Sequence, residues 1–221
     1  MPRFLECCCT SLQEALEAQK GGASRIELCE RLDVGGVTPS IALVRDVLSA
    51  VAIPVNILVR PRGGDFVFSE GEVAAMLQSI EELKSLGVNA IVIGALTGDG
   101  AVDCAAMRRL IAASRPLEVT FHRAFDVCAD PLAAFDDIIS LGCERLLTSG
   151  HESDALTGAP LIAELVSRSC GRIKVMAGCG VRPSNIAEIE RITSAPEYHS
   201  SSHGPSAHTE AATVSELVNV L

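Results

Sequence analysis

The feature that most constrains the fold is a unit that recurs along the whole chain. Each unit has a short apolar run, a polar loop, an amphipathic segment with helical spacing and a tight glycine turn. Eight apolar runs have strand length, and their first residues lie 21 to 35 residues apart, which is the size of a βα unit. The runs are Phe4–Cys9, Arg25–Cys29, Val55–Arg60, Ala90–Ala95, Glu118–His122, Arg145–Thr148, Ile173–Ala177 and Glu197–Ser200. This repetition predicts an α/β chain folded as a closed (β/α)8 barrel of the TIM type, with an open doubly wound sheet as the alternative.

The segments between these runs fit helices, and nothing in the sequence divides the chain. Apolar residues recur at helical spacing in Gly71–Leu86, Pro131–Leu141 and Thr157–Ser169. There is no composition shift or low-complexity linker, so residues 1–221 are predicted to form a single domain. A polar, serine-rich stretch after the eighth run leaves a short final helix around Thr213–Leu221, which predicts an atypical eighth helix.

Charge and cysteine content narrow the class of protein. The formal net charge of −10 argues against a nucleic-acid partner or an anionic membrane surface. The first residues lack the apolar stretch of a signal peptide, and no run approaches membrane-spanning length. Nine cysteines is an odd number, and they stand in strand- and helix-like contexts, which favours free thiols in a reducing compartment. We therefore expect a cytoplasmic protein.

The first two predicted strands carry the same chemistry. In each of them a glutamate stands two residues before a cysteine, Glu6 before Cys8 and Glu27 before Cys29. Side chains two apart on a strand share a face, so matched parallel strands would bring the two carboxylates together and the two thiols together. A pair of thiols on adjacent strands suits Cu(I), which prefers soft sulfur ligands. The alternative is a pair of inert core cysteines.

The two carboxylates and a histidine are candidate proton-transfer groups. Glu6 and Glu27 in proximity would repel, which raises the pKa of one of them, as in acid/base pairs. The alternative is that each carboxylate forms a structural ion pair with an inward Arg60, Arg62 or His122. His122 ends the fifth predicted strand, where barrels of this type place their active sites. The predicted catalytic residues are therefore Glu6, Glu27 and His122.

Two loops favour an anion site. The loop that begins at Arg60 carries two guanidinium groups beside two glycines, and arginine suits carboxylate or phosphate. A second glycine-rich loop follows the seventh predicted strand, where such barrels commonly hold phosphate at a helix N-terminus. The predicted ligand-binding residues are Arg60, Arg62, Asp65, Gly178, Gly180 and His199. This pattern is typical of a barrel enzyme that acts on a small phosphorylated or carboxylated metabolite.

Taken together, the motifs identify a family. They include Arg25-Ile26-Glu27-Leu28-Cys29, Arg60-Pro61-Arg62-Gly63-Gly64-Asp65-Phe66, Thr120-Phe121-His122-Arg123-Ala124-Phe125-Asp126 and Gly180-Val181-Arg182-Pro183. With these motifs, the chain resembles the CutC family of copper homeostasis proteins over residues 4–201. The resemblance implies a cytoplasmic (β/α)8 barrel, a homodimer, and Cu(I) bound by Cys8 and Cys29 as the metal ligands.

The chain also departs from the family pattern. Cys7 and Cys9 flank Cys8 and are expected to face away from it, because side chains alternate along a strand. Cys179 stands where the family usually has glycine or another small residue. The primary expectation is a copper homeostasis protein that binds Cu(I), and the metabolite enzyme is the alternative.

Overall fold

The computed structural model describes residues 3–203 and 208–221, and its centre is a closed barrel of eight parallel strands. Each strand pairs with its neighbours in sequence, and the last strand pairs with the first. The strands are β1 (Phe4–Cys9), β2 (Arg25–Leu28), β3 (Val55–Leu58), β4 (Ala90–Ile93), β5 (Glu118–Phe121), β6 (Arg145–Thr148), β7 (Lys174–Gly178) and β8 (Glu197–Ser200). The prediction of a closed (β/α)8 barrel is confirmed, and the open sheet is excluded. Several predicted strands end one or two residues early, where the chain turns into a loop.

A helix follows each strand and packs on the outside of the barrel. The helices are α1 (Leu12–Lys20), α2 (Ile41–Ala50), α3 (Glu70–Ser85), α4 (Cys104–Ser114), α5 (Pro131–Leu141), α6 (Ala159–Ser169), α7 (Ile186–Thr193) and α8 (Ala211–Val220). The eighth helix has 10 residues, as many as α2 and more than α1 or α7, so the expectation of an unusually short final helix is wrong. It packs against the C-terminal end of α1. A Cβ atom at Gly21 would lie 2.4 Å from Cβ of Val214, so glycine at this position allows the close approach. Part of the serine-rich stretch, residues 204–207, lies outside the described residues.

Local sequence signals set the helix ends. A capping box between Ser69 and Glu72 begins α3. Asp130 caps the first turn of α5, and Pro131 occupies its first position. The same helix ends at Gly142, which has a φ of +82°. These ends fix where each loop leaves the helical layer.

Apolar packing divides into a large and a small cluster. The large cluster lies between the barrel wall and the helices and includes Cys7 and Cys9. The small cluster lies inside the barrel and is formed by Cys8, Cys29, Leu58 and Val92. Neighbouring cysteines of β1 therefore point to opposite sides of the wall, as the alternation of a strand requires.

The register of the first two strands differs from the prediction. In the structure Glu6 lies opposite Arg25, and Cys8 lies opposite Glu27. The expected pairing of glutamate with glutamate and cysteine with cysteine is wrong by two residues. Closing a sheet into a barrel tilts and staggers its strands, and the stagger depends on the whole ring. The two sulfurs still come together, as diagonal neighbours.

Candidate functional site

The N-terminal end of the barrel interior is filled by a network of ion pairs. The guanidinium of Arg25 donates to Glu6 at 2.5 Å and to Glu197 at 2.5 Å. Arg145 donates to Glu197 at 3.0 Å and also to Glu118, at the edge of the barrel. Apart from the half-exposed Glu118, these side chains are buried. The charges neutralise one another, which makes their burial tolerable.

Sequence reasoning missed this network, although a signal for it exists. Arg25 stands two residues before Glu27 and must share its face. Arg145 and Glu197 are the first residues of their strands, at the same end of the barrel as Arg25. Applying the two-residue period to charged residues at the strand starts would have found all three.

Glu6 belongs to this network rather than to an open site. Burial alone would raise the pKa of Glu6, but Arg25 and the hydrogen bond with His199 lower it to about 2. Its Oε1 atom lies 2.8 Å from Nδ1 of His199, and the amide of Asn56 donates at 3.1 Å to Oε2, the oxygen that Arg25 also binds. Glu6 is therefore ionised at neutral pH. This supports the structural ion-pair alternative, with Arg25 as the partner instead of Arg60, Arg62 or His122.

A cavity of about 670 Å³ opens at the C-terminal ends of the strands. This is the end at which barrels of this type carry their active sites. The predicted site residues that line it are Cys8, Glu27, Arg60, His122, Gly180 and His199. The predicted residues Glu6, Cys29, Arg62, Asp65 and Gly178 are not part of its lining.

The two predicted thiol ligands meet inside the barrel, and of the two only Cys8 lines the cavity. Sγ of Cys8 lies 3.6 Å from Sγ of Cys29, and both residues are at least nine-tenths buried. The contact with Cys29, together with burial, raises the pKa of the Cys8 thiol well above its ordinary value. Cys7 points the other way, with its sulfur 3.2 Å from Oγ of Ser202. The structure brings one pair of sulfurs to the interior, and Cys7 is not part of it.

Glu27 is the least satisfied charged group of the site. Its Oε2 atom is buried and has no hydrogen-bond partner among the described residues. Burial raises the pKa of Glu27 to about 7, and the nearby charge of Glu6 adds to this rise. One donor atom each from Cys8, Glu27 and His199 lies within 4.8 Å of the other two. Glu27 therefore changes its protonation near neutral pH, beside a thiol and an imidazole.

His122 lines the same cavity and has an unpartnered ring nitrogen. Nδ1 of His122 accepts a hydrogen bond from the backbone N–H of Ala124 at 3.2 Å, which places the ring proton on Nε2. Nε2 is buried and has no partner among the described residues. Burial lowers the pKa of His122 to about 3, and the charge of Arg60 adds to the effect. The ring is neutral at physiological pH and presents an N–H donor.

Only one of the two predicted arginines reaches the cavity. The guanidinium of Arg60 stacks on Phe66, with its central carbon 4.5 Å from the ring centre, and it donates to three backbone carbonyls. Its Nε atom is buried without a partner among the described residues. Arg62 donates to Glu72 at 2.5 Å, to Asp65 at 2.9 Å and to backbone carbonyls of its own loop. Arg62 and Asp65 thus hold the loop together, outside the cavity.

The loop after β7 contains strained backbone. Cys179 has a φ of +77° and Gly180 a φ of +69°, so two successive residues adopt the left-handed region that favours glycine. Both line the cavity. A Cβ atom at Gly178 would lie 2.4 Å from Leu147, so that glycine serves packing between strands. Of the two predicted glycines, only Gly180 is at the cavity surface.

No helix within residues 3–203 and 208–221 combines the length and apolar character needed to cross a bilayer.

The sequence profile described as the CutC family matches residues 3–204. A family protein CutC from Parabacteroides distasonis is 52% identical over 202 residues, which cover 91% of this chain and 83% of the relative. A crystal structure of a protein from Streptococcus agalactiae named as a copper homeostasis protein CutC superposes with a TM-score of 0.86 at 32% identity, covering 90% of this chain and 98% of that one.

More distant structures show the fold alone. Thiamine phosphate pyrophosphorylase from Pyrococcus furiosus has a TM-score of 0.65 at 14% identity, covering 99% of this chain and 95% of that one. The match of the family profile over most of the chain, the extent of the identity and the shared barrel give one assignment: the chain belongs to the CutC family.

Proposed function

We propose that the protein acts in copper homeostasis by binding Cu(I) between Cys8 and Cys29. The observation that carries the proposal is the 3.6 Å contact between two buried sulfurs on adjacent strands. All nine cysteines are free thiols, and none of the other seven is described in a sulfur–sulfur contact of this kind. Cu(I) selects thiolate sulfur, and a reducing cytoplasm keeps both the metal and the thiols in the required state.

The spacing of the sulfurs fits a bridging ion. Two metal–sulfur bonds of about 2.3 Å each span at most about 4.6 Å, so the sulfurs need to separate by no more than about 1 Å. Cys8 lines the cavity, which gives an ion access to the pair. Leu58 and Val92 complete the apolar cluster around the sulfurs and limit the access of water to them.

Cu(I) titration of the anaerobic, reduced protein against a colorimetric Cu(I) chelator tests the proposal. We expect one Cu(I) per chain, with affinity rising with pH because the ion displaces thiol protons. Cys29→Ser should weaken binding more than about 100-fold, because loss of an outer-shell partner alone costs 10–100-fold.

Cys7→Ser is the matched control, since its sulfur lies on the same strand but contacts Ser202 on the other side of the wall. It should bind Cu(I) like the unchanged protein. Equal Cu(I) affinity in the unchanged protein and in Cys29→Ser would reject the site.

A second candidate function is supported by the size of the cavity and its unpartnered donors. A volume of about 670 Å³ is in the range of small-molecule sites. Nε of Arg60 and Nε2 of His122 are buried N–H groups without described partners, and a small anionic metabolite would satisfy both. Glu27, with a pKa of about 7, is suited to transfer a proton to or from such a molecule.

Thermal unfolding with inorganic phosphate and a panel of phosphorylated and carboxylated metabolites tests this second function. A ligand at about 100 times its Kd stabilises the folded state by about 2.7 kcal/mol. His122→Leu should abolish the response. Because the variant also loses the acceptor of the Ala124 N–H, its response is measured against its own unfolding temperature without ligand. His208→Leu, at an exposed histidine beside Glu14, should keep the response. A panel that leaves the unfolding temperature unchanged contradicts the proposal.

A further inference from the structure

Three chemically different donors converge beside the thiol pair. One donor atom from each of Cys8, Glu27 and His199 lies within 4.8 Å of the other two, and all three side chains line the cavity. They come from β1, β2 and β8, which are consecutive strands around the ring. A thiol, a carboxylate and an imidazole form the kind of ligand set that holds Zn²⁺ in proteins.

The imidazole is oriented as metal-binding histidines are. Nδ1 of His199 lies 2.8 Å from Oε1 of Glu6, and Arg25 holds Glu6 from the other side. Because the ionised carboxylate can only accept, Nδ1 carries the ring proton and Nε2 is left as the ligand atom. A carboxylate behind the histidine fixes its tautomer and raises its basicity as a ligand.

The carboxylate gives a second, independent indication of a ligand. Glu27 is 5% exposed, and its Oε2 atom has no partner in the described part of the chain. A buried carboxylate oxygen without a hydrogen bond is costly, and native proteins satisfy nearly all such atoms. The network below does not reach it, since Arg25 is already shared between Glu6 and Glu197. A cation at this point would supply the missing interaction.

We infer that Cys8, Glu27 and His199 form a site for a divalent cation of the Zn²⁺ class, with a fourth coordination position open to the cavity. Three protein ligands with one open position are the arrangement of catalytic zinc, whereas structural zinc has four protein ligands. Arg60 and His122 line the same cavity, and each has a buried N–H group without a partner among the described residues.

This site shares Cys8 with the proposed copper pair but is otherwise distinct from it. Cys29 contacts Cys8 and does not belong to the three-donor group. Glu27 and His199 belong to that group and do not contribute sulfur. Binding of Zn²⁺ and binding of Cu(I) should therefore be mutually exclusive. Substitution of Cys29 should affect only Cu(I) binding, and substitution of Glu27 or His199 should affect only Zn²⁺ binding.

The experiment measures binding of Zn²⁺ alone, and of Cu(I) alone, to the reduced full-length protein by chelator competition. The unchanged protein should bind one Zn²⁺ per chain, and Co²⁺ should give the thiolate charge-transfer band expected of a cysteine ligand. Glu27→Gln and His199→Gln should each weaken Zn²⁺ binding by more than about 100-fold. Cys29→Ser should keep Zn²⁺ binding and lose Cu(I) binding, and Glu27→Gln should do the reverse.

Two further measurements complete the design. Loading with Cu(I) should release bound Zn²⁺, because both need the sulfur of Cys8. His208→Asn removes an exposed histidine beside Glu14 and should leave the Zn²⁺ affinity unchanged. Glu27→Gln replaces a carboxylate whose Oε2 has no hydrogen-bond partner among the described residues, so the variant is expected to fold and to give an interpretable result.

Three outcomes would overturn the inference: no uptake of Zn²⁺, uptake insensitive to Glu27→Gln, or loss of uptake in Cys29→Ser. Failure of Cu(I) binding alone would reject only the copper proposal, because Zn²⁺ uptake does not depend on Cys29.

Discussion

The two ends of the barrel interior differ in whether their buried charged side chains have partners. At the N-terminal end every buried charged group has a partner: Arg25 lies between Glu6 and Glu197, and Glu197 also accepts from Arg145. Among the side chains that line the cavity at the C-terminal end, three have a buried polar atom with no described partner, namely Oε2 of Glu27, Nε of Arg60 and Nε2 of His122. The strands and their packing are continuous between the two ends, so the difference lies in the side chains.

This contrast indicates what each end is for. Paired charges make a rigid base and leave nothing for a ligand to satisfy. Unpaired buried groups destabilise the empty fold, and their retention is the expected signature of a site that binds something. Each of the following changes tests one side of the contrast.

Breaking the ion-pair network at the N-terminal end of the barrel interior should have the largest effect on stability. Arg25→Leu leaves two buried carboxylates without their shared partner, so we expect a loss of about 3–5 kcal/mol in the free energy of unfolding. Urea denaturation at neutral pH measures it. Arg168→Ala, in an exposed pair with Glu164, is the control and should change stability by less than about 0.5 kcal/mol. A loss below about 1 kcal/mol for Arg25→Leu would contradict the role of the network.

Replacing the unpartnered carboxylate of Glu27 should raise the free energy of unfolding instead of lowering it. Folding raises the pKa of Glu27 from 4.5 to about 7, so between these values the unfolded chain loses its proton first and stability falls as pH rises. Glu27→Gln has no such proton and should be more stable at pH 8, by about 3 kcal/mol, with the difference vanishing below pH 4.5. Unfolding free energies across this pH range measure the difference.

The carboxylate of Glu6 provides the internal comparison. Folding lowers its pKa to about 2, so its stabilisation is complete above pH 4.5 and is lost as pH falls toward 2.

The control for Glu27→Gln is Glu81→Gln, at an exposed side chain, whose stability should follow that of the unchanged protein throughout the pH range. Parallel pH profiles for the unchanged protein and Glu27→Gln would contradict the account of the C-terminal end.

The smallest effect concerns backbone strain at the same end. Cys179 holds a φ of +77°, which glycine adopts freely, so Cys179→Gly should stabilise the fold by about 0.5–1 kcal/mol. Cys104→Gly, at the first residue of α4, should instead cost about 0.5–1 kcal/mol. Thermal unfolding of both variants measures the two signs. A loss of stability in Cys179→Gly would show that its sulfur contact with the Ser153 carbonyl outweighs the strain.

The sequence was sufficient to predict the barrel but not its internal pairing. Strand and helix periods and the spacing of the units are local signals, and they placed all eight strands within about two residues of their bounds. The stagger between β1 and β2 depends on closure of the whole ring, so the matched pairing of Glu6 with Glu27 was wrong. The partner of Glu6 was likewise missed, because Arg25 becomes its neighbour only through that stagger.

The sequence also predicted part of the cavity lining. Residues at the C-terminal ends of strands converge in any barrel, and six of the predicted ones line the cavity. Arg62 and Asp65 do not line the cavity, because contacts within their own loop hold them. The motif alone does not predict those contacts. The roles of the lining residues, the cytoplasmic location and the homodimer stay predictions.

The closure of β8 onto β1 has a consequence for how the protein matures. Cys8 and Cys29 are 21 residues apart in the chain, so their two thiols leave the ribosome in close succession. His199 lies 193 residues after Glu6, and their contact exists only once the final strand has been made and the ring is sealed. A nascent chain can therefore offer two thiols long before it can offer the imidazole, and ions captured during translation would meet a different chemistry from those that reach the finished molecule.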